Sequence, residues 1–281
     1  MRALRFAFVF AVVSVFAPNV FADDSLALRW QLPQGAKYTY DYSQVITMEM
    51  DGKEFPQGAG KSFMKVEGPI TINCNGTGAM VKLDMRPTSM TIAGNVMPAE
   101  QMDAVAKSNE MPMDADGKIS QGRYLAGANM QLLFDMIFPL PKKPLDILQS
   151  TSQDVVSSNF KGEAVYTLVG VKTVEGMECI AYHVTCRLNS EKQTGGNGLE
   201  TASIVADYDC LFARERGFFV SVDGTATIKT DYQDNEHPVN TPTVQHHKTS
   251  LMMKAAEYKA PASKPAPEPE PPLAPVFEGE E

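Results

Sequence analysis

Phosphate loops, calcium loops, metal clusters and catalytic triads each demand particular residues at fixed spacing, and this chain holds fragments of several. Gly58-Ala59-Gly60-Lys61-Ser62 has the ending of a phosphate loop. Such a loop needs a glycine five positions before its second glycine, and Phe55 stands there, so the motif fails. Asp114-Ala115-Asp116-Gly117 resembles part of a calcium loop, but its first and twelfth ligand positions fall on Pro112 and Arg123. A turn between short strands accounts for it better. Of the four histidines, His246 and His247 are adjacent on an expected strand and so point to opposite faces. His237 falls in a loop and His183 is alone on a strand. No HExxH, GxSxG or Ser-His-acid set is present. Asp207 and Asp209 share a strand face whose neighbours read as solvated. The residues therefore nominate no catalytic, cofactor or metal site.

Sixteen methionines are the oddest feature of the composition. Met48-Glu49-Met50 and Met111-Pro112-Met113 have a spacing that thioethers could use to hold Cu(I). Met48 and Met50 also share a strand face with Tyr38, Tyr40 and Ile46, where soft core filling is the better explanation. Together with Tyr42, these side chains could line an adaptable apolar pocket. The four cysteines, Cys74, Cys179, Cys186 and Cys210, include no CxxC pair. In an oxidising compartment they allow two disulfides in three connectivities. A hairpin between Cys179–Lys192 and Glu200–Ala213 would bring Cys179 near Cys210. The alternative is that some are buried small apolar residues.

The elements that must position these groups are mostly strands. Alternation with period two runs through Leu26–Leu32, Tyr38–Met50, Met64–Ile72 and Val81–Met85, punctuated by Asp51-Gly52 and Asn75-Gly76 turns. Later strands are predicted over Val165–Val171, Met177–Leu188, Glu200–Ala213, Phe218–Thr230 and Thr243–Tyr258, with a hairpin turn at Arg214–Gly217. Two helices are predicted between them. Pro98–Ser108 has a helix-forming composition, and Leu125–Ile137 is more apolar and ends against Phe138-Pro139-Leu140-Pro141. Strands this long imply strong twist. The expected fold is α+β but mostly β: a long curved antiparallel sheet or open barrel with two helices packed on its concave face. Met130, Leu133 and Phe134 of the second helix would then face Tyr38, Tyr40, Tyr42, Met48 and Met50 across a ligand pocket.

The ends of the chain read differently. Arg2 and Arg5 precede an apolar run from Phe6 to Ala17, and Val20-Phe21-Ala22 fits a signal-peptidase site. Twelve apolar residues rise only about 18 Å as a helix against a bilayer core of ~30 Å, so a cleaved signal over residues 1–22 is expected, not a membrane anchor. Residues 23–259 are expected to form one β-rich domain. From Ala260 the chain is proline-rich and acidic and is expected to be an extended tail. The protein is thus expected to be exported, periplasmic or extracellular, and not membrane-spanning. Loss of Arg2 and Arg5 takes the net charge from −9 to −11. With no basic cluster to meet phosphates, nucleic acid is excluded as a partner.

Phe138-Pro139-Leu140-Pro141-Lys142-Lys143-Pro144-Leu145, preceded by an expected helix, partly matches an FPxLPxKP segment. Tyr166-Thr167-Leu168-Val169-Gly170, Val174-Glu175-Gly176 and the hairpin Phe212–Gly217 accompany it. In this the chain resembles a family of exported bacterial β-rich proteins, although Asp146-Ile147-Leu148-Gln149 replaces that family's Gly-Asp-x-Trp. The resemblance implies no activity. It implies a shape similar to the half-barrels of periplasmic lipoprotein carriers. The expected function is non-enzymatic binding of an apolar ligand, lipid or protein partner through the concave sheet, without a cofactor. One alternative is a structural or envelope-interaction module with a fully packed core, contacting envelope proteins. A second is a hydrolase whose residues converge from distant strands.

Overall fold

The computed structural model describes residues 26–55, 62–74, 80–118, 139–146, 149–156, 160–193, 199–233 and 242–257. The expected signal, the tail, His237 and the predicted helix carrying Met130, Leu133 and Phe134 lie outside them. Among the described residues, thirteen strands make one antiparallel sheet. They are β1 (Lys37–Met50), β2 (Lys53–Phe55), β3 (Met64–Cys74), β4 (Met80–Met85), β5 (Ser89–Ile92), β6 (Asn95–Val96), β7 (Lys107–Pro112), β8 (Ser150–Val156), β9 (Lys161–Val174), β10 (Met177–Gln193), β11 (Leu199–Ala213), β12 (Phe218–Gln233) and β13 (Thr243–Glu257). The order along the main path is β6-β5-β3-β1-β13-β12-β11-β10-β9-β8, with β2 on β1 and β4 bridging β3 to β7. The path does not return on itself, so the curved sheet stays open.

Turn chemistry sets the register. Asp51-Gly52, Ala93-Gly94 and Glu175-Gly176 are two-residue loops with both residues at positive φ. That conformation matches the right-handed twist of flanking strands. The register then fixes which face is buried. Along β1, Tyr38, Tyr40, Tyr42, Gln44 and Ile46 are all buried, while Met48 and Met50 are half-buried at the strand's end.

The one described helix, α1 (Ala99–Val105), is shorter than the predicted span. Its sequence AEQMDAV offers one central apolar residue of any size, Met102, and its first turns are exposed. Too narrow an apolar stripe keeps it off the core. Extended chain does the filling instead. Leu26, Leu28 and Trp30 are buried without joining the sheet, although their alternation predicts a strand. The segment is bonded piecemeal: Leu26 bridges Leu145, the Trp30 N–H donates to Ala115 O at 2.7 Å, and the Gln31 N–H donates to Gly217 O at 3.0 Å. It crosses one end of the sheet, where Trp30 packs edge-on against Phe212 and Phe219, with ring centroids 6.0 and 5.3 Å away. Asp114 makes the expected turn, accepting the N–H of Asp116 and of Lys118 on its carboxylate.

Candidate ligand site

Away from the Trp30 end, the inner face carries one register row of small side chains. Ile46 pairs with His247, His247 with Ala226, Ala226 with Ala206, Ala206 with Cys186, Cys186 with Ala164, and Ala164 with Gln153. The four central residues are Ala226, Ala206, Cys186 and Ala164, and all are buried. The row on one side holds Tyr208, Val184 and Tyr166, and the row on the other holds Ile228, Ile204 and Leu188. These small side chains form a line between two bulky rows that runs across the strands. At ~4.8 Å per strand the five steps from His247 to Gln153 span roughly 24 Å. That is long enough for an extended fatty chain.

At the His247 end a strip of polar side chains lies inside the sheet. Gln44 Nε2 is 3.3 Å from Thr249 Oγ1 and 3.4 Å from His247 Nδ1, and His247 Nε2 is 3.1 Å from Gln245 Oε1. The Tyr208 hydroxyl is hydrogen-bonded to Thr249. Gly224 permits this: a Cβ there would lie 2.4 Å from Tyr208 Cδ1 and 2.2 Å from Asp207 O. Burial, helped by neighbouring His246, pushes His247 down to about 4, so its ring is neutral at physiological pH. Burial, with Tyr208 adding to it, holds Tyr42 protonated.

The strip is incompletely satisfied. Among the described residues, Tyr42 Oη and Gln44 Oε1 are buried without a hydrogen-bond partner. Tyr40 and Tyr182 hydroxyls are also unpaired at ordinary geometry, though Tyr40 lies beside the Phe219 backbone and Tyr182 beside the Cys210 thiol. Buried polar groups ordinarily find partners, so an orphan asks for a reason.

The cysteines are quiet. All four are buried free thiols. Burial raises Cys74 to about 11 and Cys186 to about 12, and it raises Cys179 and Cys210 as well. The expected approach of Cys179 to Cys210 is corrected by the register, for Cys179 pairs with Ala213 and Cys210 with Tyr182. Three positions along a strand are about 10 Å, beyond the ~7 Å that a disulfide tolerates between Cα atoms. Met111 and Met113 are core residues, and Met48 Sδ lies 3.9 Å from Gln245 Nε2. No group of three or more His, Cys, Asp or Glu able to hold a metal occurs among the described residues.

On the outer face His183 sits between carboxylates, with Nδ1 3.0 Å from Asp209 and Nε2 3.5 Å from Asp207. Thr185 Oγ1 donates to Asp207 at 2.9 Å. These are solvated cross-strand contacts. Of the expected pocket residues, the structure gathers the three β1 tyrosines on the inner face and leaves Met48 and Met50 at its margin. Sequence reading passed over Gln44, His247 and Thr249 as inner-face residues. The period-two alternation of β1 carries the signal, since Gln44 stands between Tyr42 and Ile46.

No protein-family profile matches the chain, and no curated protein matches it. Among solved structures, a Vibrio cholerae outer-membrane protein, OmpT with loop L8 deleted, aligns over 79% of this chain and 100% of its own at 8% identity. Its TM-score of 0.14 carries no argument. A lipovitellin structure concerned with lipid–protein interactions aligns over 84% of this chain at 12% identity and TM-score 0.50. This chain spans 27% of that lipovitellin chain, and the likeness is one of fold alone.

Proposed function

We propose that this is an exported, non-enzymatic protein that holds an apolar ligand, a lipid above all, against the inner face of its open sheet. The register row of small side chains between two bulky rows carries the reading. Four small residues in register on four adjacent strands are a poor way to fill a core and a good way to seat a chain. The likeness to lipovitellin, a structure concerned with lipid–protein interactions, supports it at the level of fold. Native mass spectrometry of the protein purified from the exported fraction tests both halves. The mature chain should begin at Asp23 and carry or accept a lipid-sized mass, displaceable by a fluorescent fatty probe. A chain still carrying its first 22 residues sinks the export reading, and absence of any bound or bindable lipid sinks the carrier reading.

The close packing of Trp30 with Phe212 and Phe219 favours a second reading, an envelope-interaction module with a fully packed core. Saturable lipid binding that Ala206→Leu abolishes separates the two.

A further inference from the structure

We infer that the acidic, proline-rich tail beginning at Ala260 docks on its own domain, in a cleft at the Trp30 end of the sheet. This docking is independent of lipid carriage. A cleft of about 430 Å³ opens there among Gln31, Pro33, Tyr38, Arg216, Phe218 and Ala256. Its floor is built before any occupant arrives. Tyr38 and Phe218 are buried with ring centroids 5.2 Å apart, and the Tyr38 hydroxyl donates to Gln31 O at 2.7 Å. Gln31 is tied down twice more, its N–H to Gly217 O at 3.0 Å and its Nε2 to Glu215 O at 2.7 Å. Gln31, Arg216 and Ala256 are exposed at the rim, and Pro33 is half-buried.

Position, shape and charge name the occupant. Ala256 lines the cleft and β13 ends one residue later, at Glu257, so the tail departs from the cleft's own wall. Pro269 lies twelve residues beyond Glu257, ample at ~3.1 Å each for a chain that leaves the strand end and turns back. Tethered that closely, the tail has an effective concentration of about millimolar, so even a weak contact is populated. In a polyproline helix, with three residues per turn, Pro269, Pro272 and Pro275 fall on one edge. Such an edge is stiff beforehand and suits an apolar cleft floored by aromatic rings. From Ala260 on, the tail also carries five glutamates against Lys264 alone. Arg216 is an exposed cation with no ion pair among the described residues, whereas Arg214 meets Glu178 at 3.7 Å. Glu215 shares the cleft and opposes the tail's acids, which leaves Arg216 as the group that receives them.

The test uses the full chain with Ala274→Cys, on a different edge from the three prolines, carrying an acceptor dye. The native thiols are all buried, and Trp30, the chain's single tryptophan, precedes Gln31 of the cleft and serves as the donor. Energy transfer should be high and independent of protein concentration. Arg216→Glu should lower it at least about twofold, and so should Pro269→Ser, Pro272→Ser and Pro275→Ser made together. These changes fall on an exposed side chain or in the tail, and an unchanged circular dichroism spectrum confirms that the sheet is kept. Transfer that either variant fails to lower overturns the docking. Transfer that rises with protein concentration hands the tail to a second copy of the chain and overturns the intramolecular assignment.

Discussion

The two halves of the inner face solve the same problem in opposite ways. At the Trp30 end, large rings interlock and the crossing segment Leu26–Gln31 is tied down by backbone hydrogen bonds to Ala115 and Gly217. In the half around His247, small and polar side chains lie among the bulky ones, and among the described residues Tyr42 Oη and Gln44 Oε1 lack partners there. Both halves belong to one hydrophobic core, and they differ in the polar side chains buried within it.

The largest expected effect breaks the packed half. Trp30→Ala should cost about 3–5 kcal/mol in urea unfolding, because Phe212 and Phe219 cannot close over the cavity. A loss under about 1 kcal/mol would mean that the crossing segment is not part of the core. Acid comes next. His247 has its folded pKa lowered to about 4 from its ordinary 6.5, so the unfolded chain takes up a proton that the folded chain refuses. Stability is then full above pH 6.5 and falls by about 3 kcal/mol as pH drops to 4. His247→Gln should flatten that slope, which pH-dependent melting will show. Enlarging the row of small side chains with Ala206→Leu should cost about 1–3 kcal/mol and, on the proposed carrier reading, remove lipid binding, read by probe displacement. Retained binding would place the ligand elsewhere. Smallest of all, Tyr42→Phe should leave stability within about 1 kcal/mol or raise it slightly, since an unpaired buried hydroxyl gains nothing by staying. A clear loss on calorimetry would show that the hydroxyl has a partner.

Most of the sheet was legible because its long strands alternate and its hairpins announce themselves, as at Asp51-Gly52 and Arg214–Gly217. Three kinds of element were not. β8, STSQDVV, is an edge strand with little apolar content, so no periodicity betrays it. Leu26–Trp30 alternates as a strand does but lies across the sheet end, where tertiary contacts override local pattern. The cysteine register depends on the pairing of β10 with β11, and a three-residue offset is invisible without it. The register row of small side chains was equally hidden. Ala164, Cys186, Ala206 and Ala226 are unremarkable one by one, and only the ladder sets them in a row.

The sheet's failure to close has a further consequence. In a sealed barrel the girth is dictated by strand number and shear. Here the path begins at β6 and stops at β8, so among the described residues no strand pairing ties those two margins together. The sheet can flatten or coil by small changes of twist distributed over ten strands, with every ladder kept intact. On the proposed carrier reading, such a sheet would adjust its bore to what it holds, and cargoes of different thickness could share one set of walls.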